Sequence, residues 1–352
     1  MYDVEIQNGN TKIPISGIDT GHRVIGSITK EKNKIPSFTF TIYPDNPGFD
    51  KITEYKTLVR VKANKVPKFA GRVLLSQPQI DSSGMIYKAV TCEGFLGYLN
   101  DTLNYLYSMP ADKLLINKIV EYQLNNHNKQ VEKNKQIQYE FFATGVGLEE
   151  FVPTEDRTTF SALTDEQLTA YLMYDVVEQG TDLVLKCGTT MSHKNTVIQL
   201  GLNMQSLTVV NNFDDLCTVV MPITNDNRLM GTVGKDVITV IDSNAVAEYG
   251  TIVKSHKFES ISSPSKLAGA AREWLSSRTA IKKTVTVSAF DLYDMGITPE
   301  RFDIYSDYLI ECPELGVHER LELTKLTQDI NDTWNTQLTF GDILYSARNQ
   351  RL

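Results

Sequence analysis

Hydrophobic and polar positions alternate strictly along Ser37-Phe-Thr-Phe-Thr-Ile-Tyr43, with Phe38, Phe40 and Ile42 on one side and Thr39 and Thr41 on the other. A period of two is that of a half-buried β-strand, and the run stops at the turn formers Pro44-Asp-Asn-Pro-Gly48. Residues 58–62 and 68–74 flank Ala63-Asn-Lys-Val-Pro67 and predict a hairpin. Asp81-Ser-Ser-Gly84 then turns the chain into a further strand over 85–92. Hairpins in series predict an antiparallel sheet or barrel for residues 1–100.

The middle third reads differently. Ser108-Met-Pro110 offers a cap and an early-turn proline to a helix carrying Leu114, Leu115, Ile119 and Leu124, which ends in Asn125-Asn-His-Asn128. A second helix is expected over about 159–178, with Leu163, Ala170, Tyr171, Tyr174 and Val177 on one side and Gly180 closing it. Residues 101–200 therefore read as an α+β insert. Strands return from Ile198 onward, at 237–241, 251–255, 283–288, 321–326 and 334–340. They are interrupted by a helical excursion near 263–278, with Ser263 as N-cap, Pro264 at the first helical position and Leu267, Ala271, Trp274 and Leu275 following. Residues 201–352 form the second β region. A faint echo joins Ile28-Thr-Lys and Ser37-Phe-Thr-Phe-Thr to Leu323-Thr-Lys and Gln337-Leu-Thr-Phe-Gly, each a strand, a polar turn and a second alternating strand.

Composition narrows the functional classes. At 352 residues, 41% hydrophobic and 22% charged, the chain can bury a sizeable core and hold several domains. Its apolar runs fall short of the roughly 18 residues a membrane span needs, and Met1-Tyr-Asp-Val-Glu-Ile lacks the start of a signal peptide, so a cytosolic origin is expected without membrane insertion. Cys92, Cys187, Cys217 and Cys312 are widely spaced and read as free, packed thiols. A net charge of −8, with lysines at 30–34, 62–68 and 129–135 interleaved with polar and acidic residues, argues against sequence-specific DNA binding. An acidic assembly around a channel would let DNA pass without adhering.

Candidate chemistry is sparse. Thr91-Cys-Glu-Gly-Phe95 superficially resembles the cysteine neighbourhood of cell-wall amidase-peptidases, but a packed cysteine at a strand end accounts for it, and Glu93 beside the sulfur opposes a thiolate. His22, His127, His193, His256 and His318 stand singly, without the spacing of a zinc site. Gly231-Thr-Val-Gly-Lys-Asp236 lacks the glycine spacing and the Ser/Thr of a phosphate loop and reads as a turn. His127-Asn128 reads as a helix C-terminal pair, Asn128 in a left-handed cap and His127 on the last free carbonyls.

Four segments in fixed order carry a resemblance. They are Phe69-Ala-Gly-Arg-Val73, the run Val90-Thr-Cys-Glu-Gly-Phe-Leu-Gly-Tyr-Leu-Asn-Asp101, His127-Asn-Lys-Gln-Val131, and a C-terminal half from Ile198-Gln-Leu-Gly-Leu-Asn203 through Thr218-Val-Val-Met-Pro222 to Leu338-Thr-Phe-Gly-Asp342. Together they resemble the tail-tip hub proteins of long-tailed bacteriophages, the prophage tail or prophage endopeptidase tail family, whose contractile-tail relatives form a trimeric baseplate hub. The resemblance implies a mainly β, α+β multidomain fold with two tube-type antiparallel β-barrel-like domains around an α/β insert. It implies a homotrimer that closes a tail tube at the virion tail tip, assembled in the host cytoplasm. Partners would be a distal tail protein or tube ring, a tape-measure protein and receptor-binding or spike proteins. Gly71, Arg72, Cys92, Glu93, Gly94, His127, Asn128, Pro222 and Gly341 are the matching positions, in structural roles, with no catalytic, cofactor or metal residue among them. Wall-degrading relatives carry additional C-terminal domains, and none is expected here. Phe302-Asp-Ile-Tyr-Ser-Asp307 stands where relatives commonly place a glycine-containing turn. Two other classes stay in view: a peptidoglycan endopeptidase with an unrecognised site, and a carbohydrate-binding module, against which the presence of only two tryptophans counts while 16 tyrosines keep it open.

Overall fold

Alternating residues build the first half as expected. The computed structural model describes residues 2–104, 114–142, 147–148, 157–169, 172–188, 192–213, 215–233, 236–259, 261–279, 282–332 and 334–341. The first strands are β1 (Tyr2–Asn8), β2 (Thr11–Ser16), β3 (Ile25–Glu31), β4 (Ser37–Ile42), β5 (Leu58–Ala63), β6 (Val66–Ile80) and β7 (Ile86–Gly94). On β4, Phe38, Phe40 and Ile42 are buried and Thr39 is exposed, with the Phe38 and Phe40 rings stacked at 5.1 Å. The β5–β6 hairpin is tighter than the link read from the sequence. It turns on Asn64 and Lys65 alone, both left-handed at φ 49° and 68°.

The helical middle departs from the sequence pattern in several places. Helix α1 (Ile116–Gln130) begins after Leu114 and Leu115, which form a two-residue strand with Gly147–Leu148. The expected cap at Ser108-Met-Pro110 lies outside the described residues. Strand β8 (Ile137–Phe141) follows α1. The single helix expected over 159–178 is instead α2 (Thr159–Leu163), α3 (Glu166–Thr169) and β9 (Met173–Gln179). The side chain of Thr158 caps α2, Thr164 ends it, and the β-branched pair Val176-Val177 favours the extended chain beyond. Tyr174 is thus buried from a strand, and Gly180, at φ 65°, turns β9 into β10 (Asp182–Gly188) instead of closing a helix.

The second half comprises β11 (Ser192–Gln199), β12 (Met204–Asn212), β13 (Val219–Thr224), α4 (Ser243–Tyr249), β14 (Val253–Phe258), α5 (Pro264–Ser276), β15 (Lys282–Ala289), β16 (Ser306–Cys312), β17 (Val317–Asp329) and β18 (Thr336–Gly341). The strand expected over 237–241 is split into Asp236–Val237 and Val240–Ile241, which pair with different partners. Helix α5 is as expected, with Leu267, Ala271 and Leu275 buried, although the Ser263 hydroxyl bonds Ser265 and makes no backbone cap. Where glycine was anticipated, Tyr305 itself is left-handed at φ 68°. Its hydroxyl accepts from the Asn33 N–H and donates to the Tyr174 carbonyl, which fixes the strained turn.

Among the described residues one sheet of thirteen strands runs through both halves. In the first, pairing follows β3-β4-β7-β6-β5-β1. In the second it follows β12-β15-β18-β17-β16-β11, the same path strand for strand in chain order. Even the bulges agree, at Val73/Leu75 on β6 and at Leu323/Lys325 on β17. The outermost pair differs: β1 is antiparallel to β5, whereas β11 is parallel to β16. A repeat is therefore present, but the sequence echo picked the wrong strands. It equated β3–β4 with β17–β18, whereas connectivity equates β3–β4 with β12–β15, and β17 lies directly beside β3.

Among the described residues four hydrophobic clusters form. One fills each half of the sheet, a third lies under α1 and β8–β10, and the fourth, around Cys217 and Leu267, lies under α5. The halves also meet through a buried charge cluster: Lys68 Nζ sits 2.8 Å from Asp294 Oδ1 and 3.6 Å from Asp291 Oδ2, and the Tyr2 hydroxyl donates to Asp294 at 3.1 Å.

Candidate functional site

Gly71 and Gly94 are register partners where β6 and β7 converge. A Cβ on Gly71 would stand 2.0 Å from the Glu93 carbonyl, so only glycine permits this approach. The Gly94 N–H donates to the Pro36 carbonyl at 2.7 Å, and the chain passes into a short 3-10 helix, Phe95–Asp101. That turn brings Tyr98 and Asp101 beneath the next residue of β6, Arg72. Gly97 leaves room for the Glu93 carboxyl, which a Cβ would meet at 2.6 Å.

Arg72 is buried and fully engaged. Its Nη1 and Nη2 donate to Asp101 Oδ2 and Oδ1 at 2.6 and 2.7 Å, and Nε donates to Glu93 Oε1 at 2.8 Å. The guanidinium lies between the rings of Tyr55 and Tyr98, 4.9 and 4.8 Å from their centroids. A planar fork satisfied by two carboxylates is the geometry in which burying a cation is tolerated. Burial works against the charge of both partners, yet the hydrogen bonds hold the Arg72 guanidinium above its ordinary value and Asp101 below the usual carboxylate range. Burial pushes the Tyr98 hydroxyl up to about 12.

Lys135 extends the cluster toward α1. Its ammonium donates to Asp101 Oδ2 at 3.0 Å, while its carbonyl accepts from His127 Nε2 at 3.1 Å. His127 Nδ1 accepts from the Thr102 hydroxyl at 2.9 Å, and Thr102 is 2.8 Å from Thr159 Oγ1. Both ring nitrogens are thereby occupied in a neutral tautomer, and burial lowers the imidazole from its ordinary value. Asn128 is helical and not left-handed: α1 continues to Gln130, and the Asn128 amide grips both the N–H and the carbonyl of Ile137 on β8, at 2.8 and 2.9 Å. His127 likewise serves the carbonyl of Lys135, beyond the helix, and not the last free carbonyls of α1.

Of the positions singled out in the sequence, Gly71, Arg72, Glu93, Gly94, His127 and Asn128 thus lie along one seam between the sheet and the α1 body. Cys92 faces away, fully buried in the first core, and burial pushes its thiol well above the ordinary range. Pro222 lies in β13 opposite His256, whose ring stacks on Trp274 at 4.5 Å, and Gly341 ends β18 opposite Glu322. The sequence reading missed Tyr55, Tyr98, Asp101 and Lys135. Tyr98 and Asp101 stood inside a quoted segment, and only strand register could have shown what they meet. Among the described residues no three His, Cys, Asp or Glu side chains gather as metal ligands. All four cysteines are free and buried, and among the described residues no helix is long and apolar enough to cross a membrane. The seam is a joint, in which the Arg72 guanidinium and both His127 ring nitrogens are engaged by neighbouring residues.

Known proteins resemble this chain in two ways. Residues 192–349 match the family model described as prophage endopeptidase tail, a stretch that starts at the first residue of β11. No curated protein matches in sequence. Among solved structures, the 43 kDa tail protein of prophage MuSo2 from Shewanella oneidensis superposes with a TM-score of 0.64 at 11% identity, over 97% of this chain and 96% of that one. The tail protein from Neisseria meningitidis MC58 gives 0.63 at 13% identity, over 97% of both chains. A component of the Escherichia coli type VI secretion system, itself structurally similar to the T4 bacteriophage tail proteins gp27 and gp5, gives 0.51 at 11% identity over 96% of this chain and 78% of that one. The fold is that of phage tail proteins, as the sequence resemblance implied.

Proposed function

We propose that this chain is a structural tail-tip hub of a bacteriophage or prophage, trimerising to close the tail tube and to anchor adhesion or spike components for attachment and DNA ejection. The observation that carries the reading is the duplicated strand path. A subunit that holds two copies of one β-unit in a continuous sheet lets three subunits offer six similar units to a six-fold tube. We read residues up to Gly94 as the first tube unit and 95–188 as the first insert. Residues 192–341 make the second unit, with 213–281 inserted in it. The tube side would meet a distal tail protein or tube ring and the tape-measure protein, and the distal side receptor-binding or spike proteins. A net charge of −8 per chain suits a channel that DNA crosses without binding. Residence in the virion tail follows, after assembly in the host cytoplasm.

An endopeptidase reading would call on Cys92 and His127, and both are spent structurally: the thiol is buried with its proton held, and the imidazole has no free nitrogen. Purified protein should show no peptidoglycan hydrolysis for Cys92→Ser or His127→Ala to remove. The deciding experiment is mass, by light scattering of concentrated protein and of reconstituted tail tips. A trimer is expected at assembly, and a stable dimer in both settings would sink the hub reading.

A further inference from the structure

The internal junction specifies an external one. Within the chain, β17 of the second unit pairs antiparallel with β3 of the first, Lys325 facing Glu31, Leu326 facing Lys30, Thr327 facing Thr29, Gln328 facing Ile28 and Asp329 facing Ser27. The side chains of Thr29 and Thr327 touch across it, Oγ1 to Oγ1, at 3.4 Å. By the shared strand path, β6 is the counterpart of β17 and β12 the counterpart of β3. Those two strands are where the sheet is left open: β12 is terminal, pairing with β15 alone, and the second edge of β6 has no strand beside it among the described residues beyond Val73, whose backbone still bonds Tyr55 and Thr57.

The bulges align the two units without ambiguity. Val73, Leu75 and Ser76 sit against Cys92, Thr91 and Val90 as Leu323, Lys325 and Leu326 sit against Phe340, Thr339 and Leu338. Ile28 opposes Phe38 as Val209 opposes Val285, each over the buried residue of its unit. Thr327 therefore corresponds to Gln77, and Thr29 to Val210. We infer that β6 of one copy pairs antiparallel with β12 of the next in the register of the internal junction, Gln77 facing Val210, Ser76 facing Asn211 and Pro78 facing Val209. The inference rests on the hub reading for the number of copies, and on the repeat alone for the register. Because the two edges differ, the contact is head-to-tail and does not stop at a dimer; with the three copies of the hub reading it closes as a ring.

The free edge is guarded. Glu54 reaches from the loop before β5 and accepts the Ser76 N–H at 3.0 Å, at the position whose counterpart, Leu326, lies beside Lys30 of β3. A carboxylate on an edge N–H blocks unwanted strand addition, and it must swing away when a neighbour arrives. Val210 and Gln77 are exposed, as an unfilled contact requires.

Single variants Gln77→Cys and Val210→Cys, mixed in equal amounts at high concentration and oxidised, test the register, since the four native thiols are buried. A reducible cross-link between copies is expected for this pair, several-fold faster than for Gln77→Cys mixed with Thr208→Cys, which is two residues out of register. Thr29→Cys with Thr327→Cys in one chain should close an intramolecular disulfide and confirms the oxidation conditions. The double variant Gln77→Cys/Val210→Cys should give a ladder that ends at a closed trimer. Equal cross-linking of the two pairs, or none while the internal control closes, overturns the edge pairing. A trimer by mass without the cross-link sinks this inference and spares the hub reading, whereas a cross-linked ladder that closes at another number does the reverse. Glu54→Ala should raise the associated fraction several-fold at fixed concentration, and no change would remove Glu54 as the guard.

Discussion

Arg72 loses more than a contact when it is truncated. Arg72→Ala leaves Glu93 and Asp101 facing each other in a seam where only Lys135 remains, and loss of one partner from a buried ion network costs about 3–5 kcal/mol. Asp101 keeps some exposure, which places the expected value at the lower end. Arg72→Lys should recover less than half, because an ammonium cannot serve two carboxylates in a plane. Urea denaturation of the three proteins measures this. Two other residues predict opposite responses to pH. The folded-state value of His127 lies below its ordinary 6.5, so its contribution is complete above about pH 6.5 and is lost as acid protonates the unfolded chain first. Asp291 is raised to about 6, chiefly by burial, so it favours the folded state at low pH and loses that contribution as pH rises through 6. His127→Gln should flatten the acid side of the stability profile, and Asp291→Asn should raise neutral-pH stability. Parallel profiles for parent and variants would refute both assignments. The sequence displayed Gly71, Arg72 and Glu93 but not their meaning, because Asp101 and Lys135 reach them only through the 3-10 turn and the register of β6 on β7.

Strands whose faces differ sharply were legible, and elements balanced between two periods were not. β4 was evident from its alternation, and truncating Phe40 should cost about 3–5 kcal/mol, since its ring is buried against Phe38. Thr39→Lys, on the exposed face, should leave the melting temperature nearly unchanged while disturbing assembly. Thr41→Lys, half-buried beside Ile25, is expected to be somewhat less neutral. Threonine changes that unfold the protein while Phe40→Ala does not would mean that the two faces have been exchanged. The region 159–179 shows the other case. Leu163, Tyr174 and Val177 satisfy a helical spacing, yet the extended preference of Val176-Val177 and the partner strand β10 decide for β9, and no local pattern announces the partner. The β5–β6 turn offers an element-scale gain. Lys65 is left-handed at φ 68°, which costs a side-chain residue roughly 1–2 kcal/mol, so Lys65→Gly should stabilise the hairpin by up to about 1 kcal/mol after the added chain entropy, read as a rise in melting temperature.

At the scale of the molecule, the duplicated unit was hidden by what interrupts it. The second copy is cut between β12 and β15 by a body with its own core, so its first two strands lie far apart in the chain, and similarity of local pattern pointed instead to β17 and β18. Mainly β architecture needs only composition and alternation to be recognised; repeat correspondence needs the pairing map. That map also sets a clock. Strand β3 is among the first parts of the chain to be made, yet its second neighbour, β17, lies 298 residues further on at the Thr29–Thr327 contact. At the usual pace of about 5–20 residues per second, a ribosome leaves that flank of β3 bare for roughly 15–60 s. Nascent chains stalled before β17 should therefore be captured by chaperones and cut by protease near β3, and chains released after β18 should resist both. The chain thus spends its synthesis with one flank of β3 waiting for the last part of the sheet to emerge.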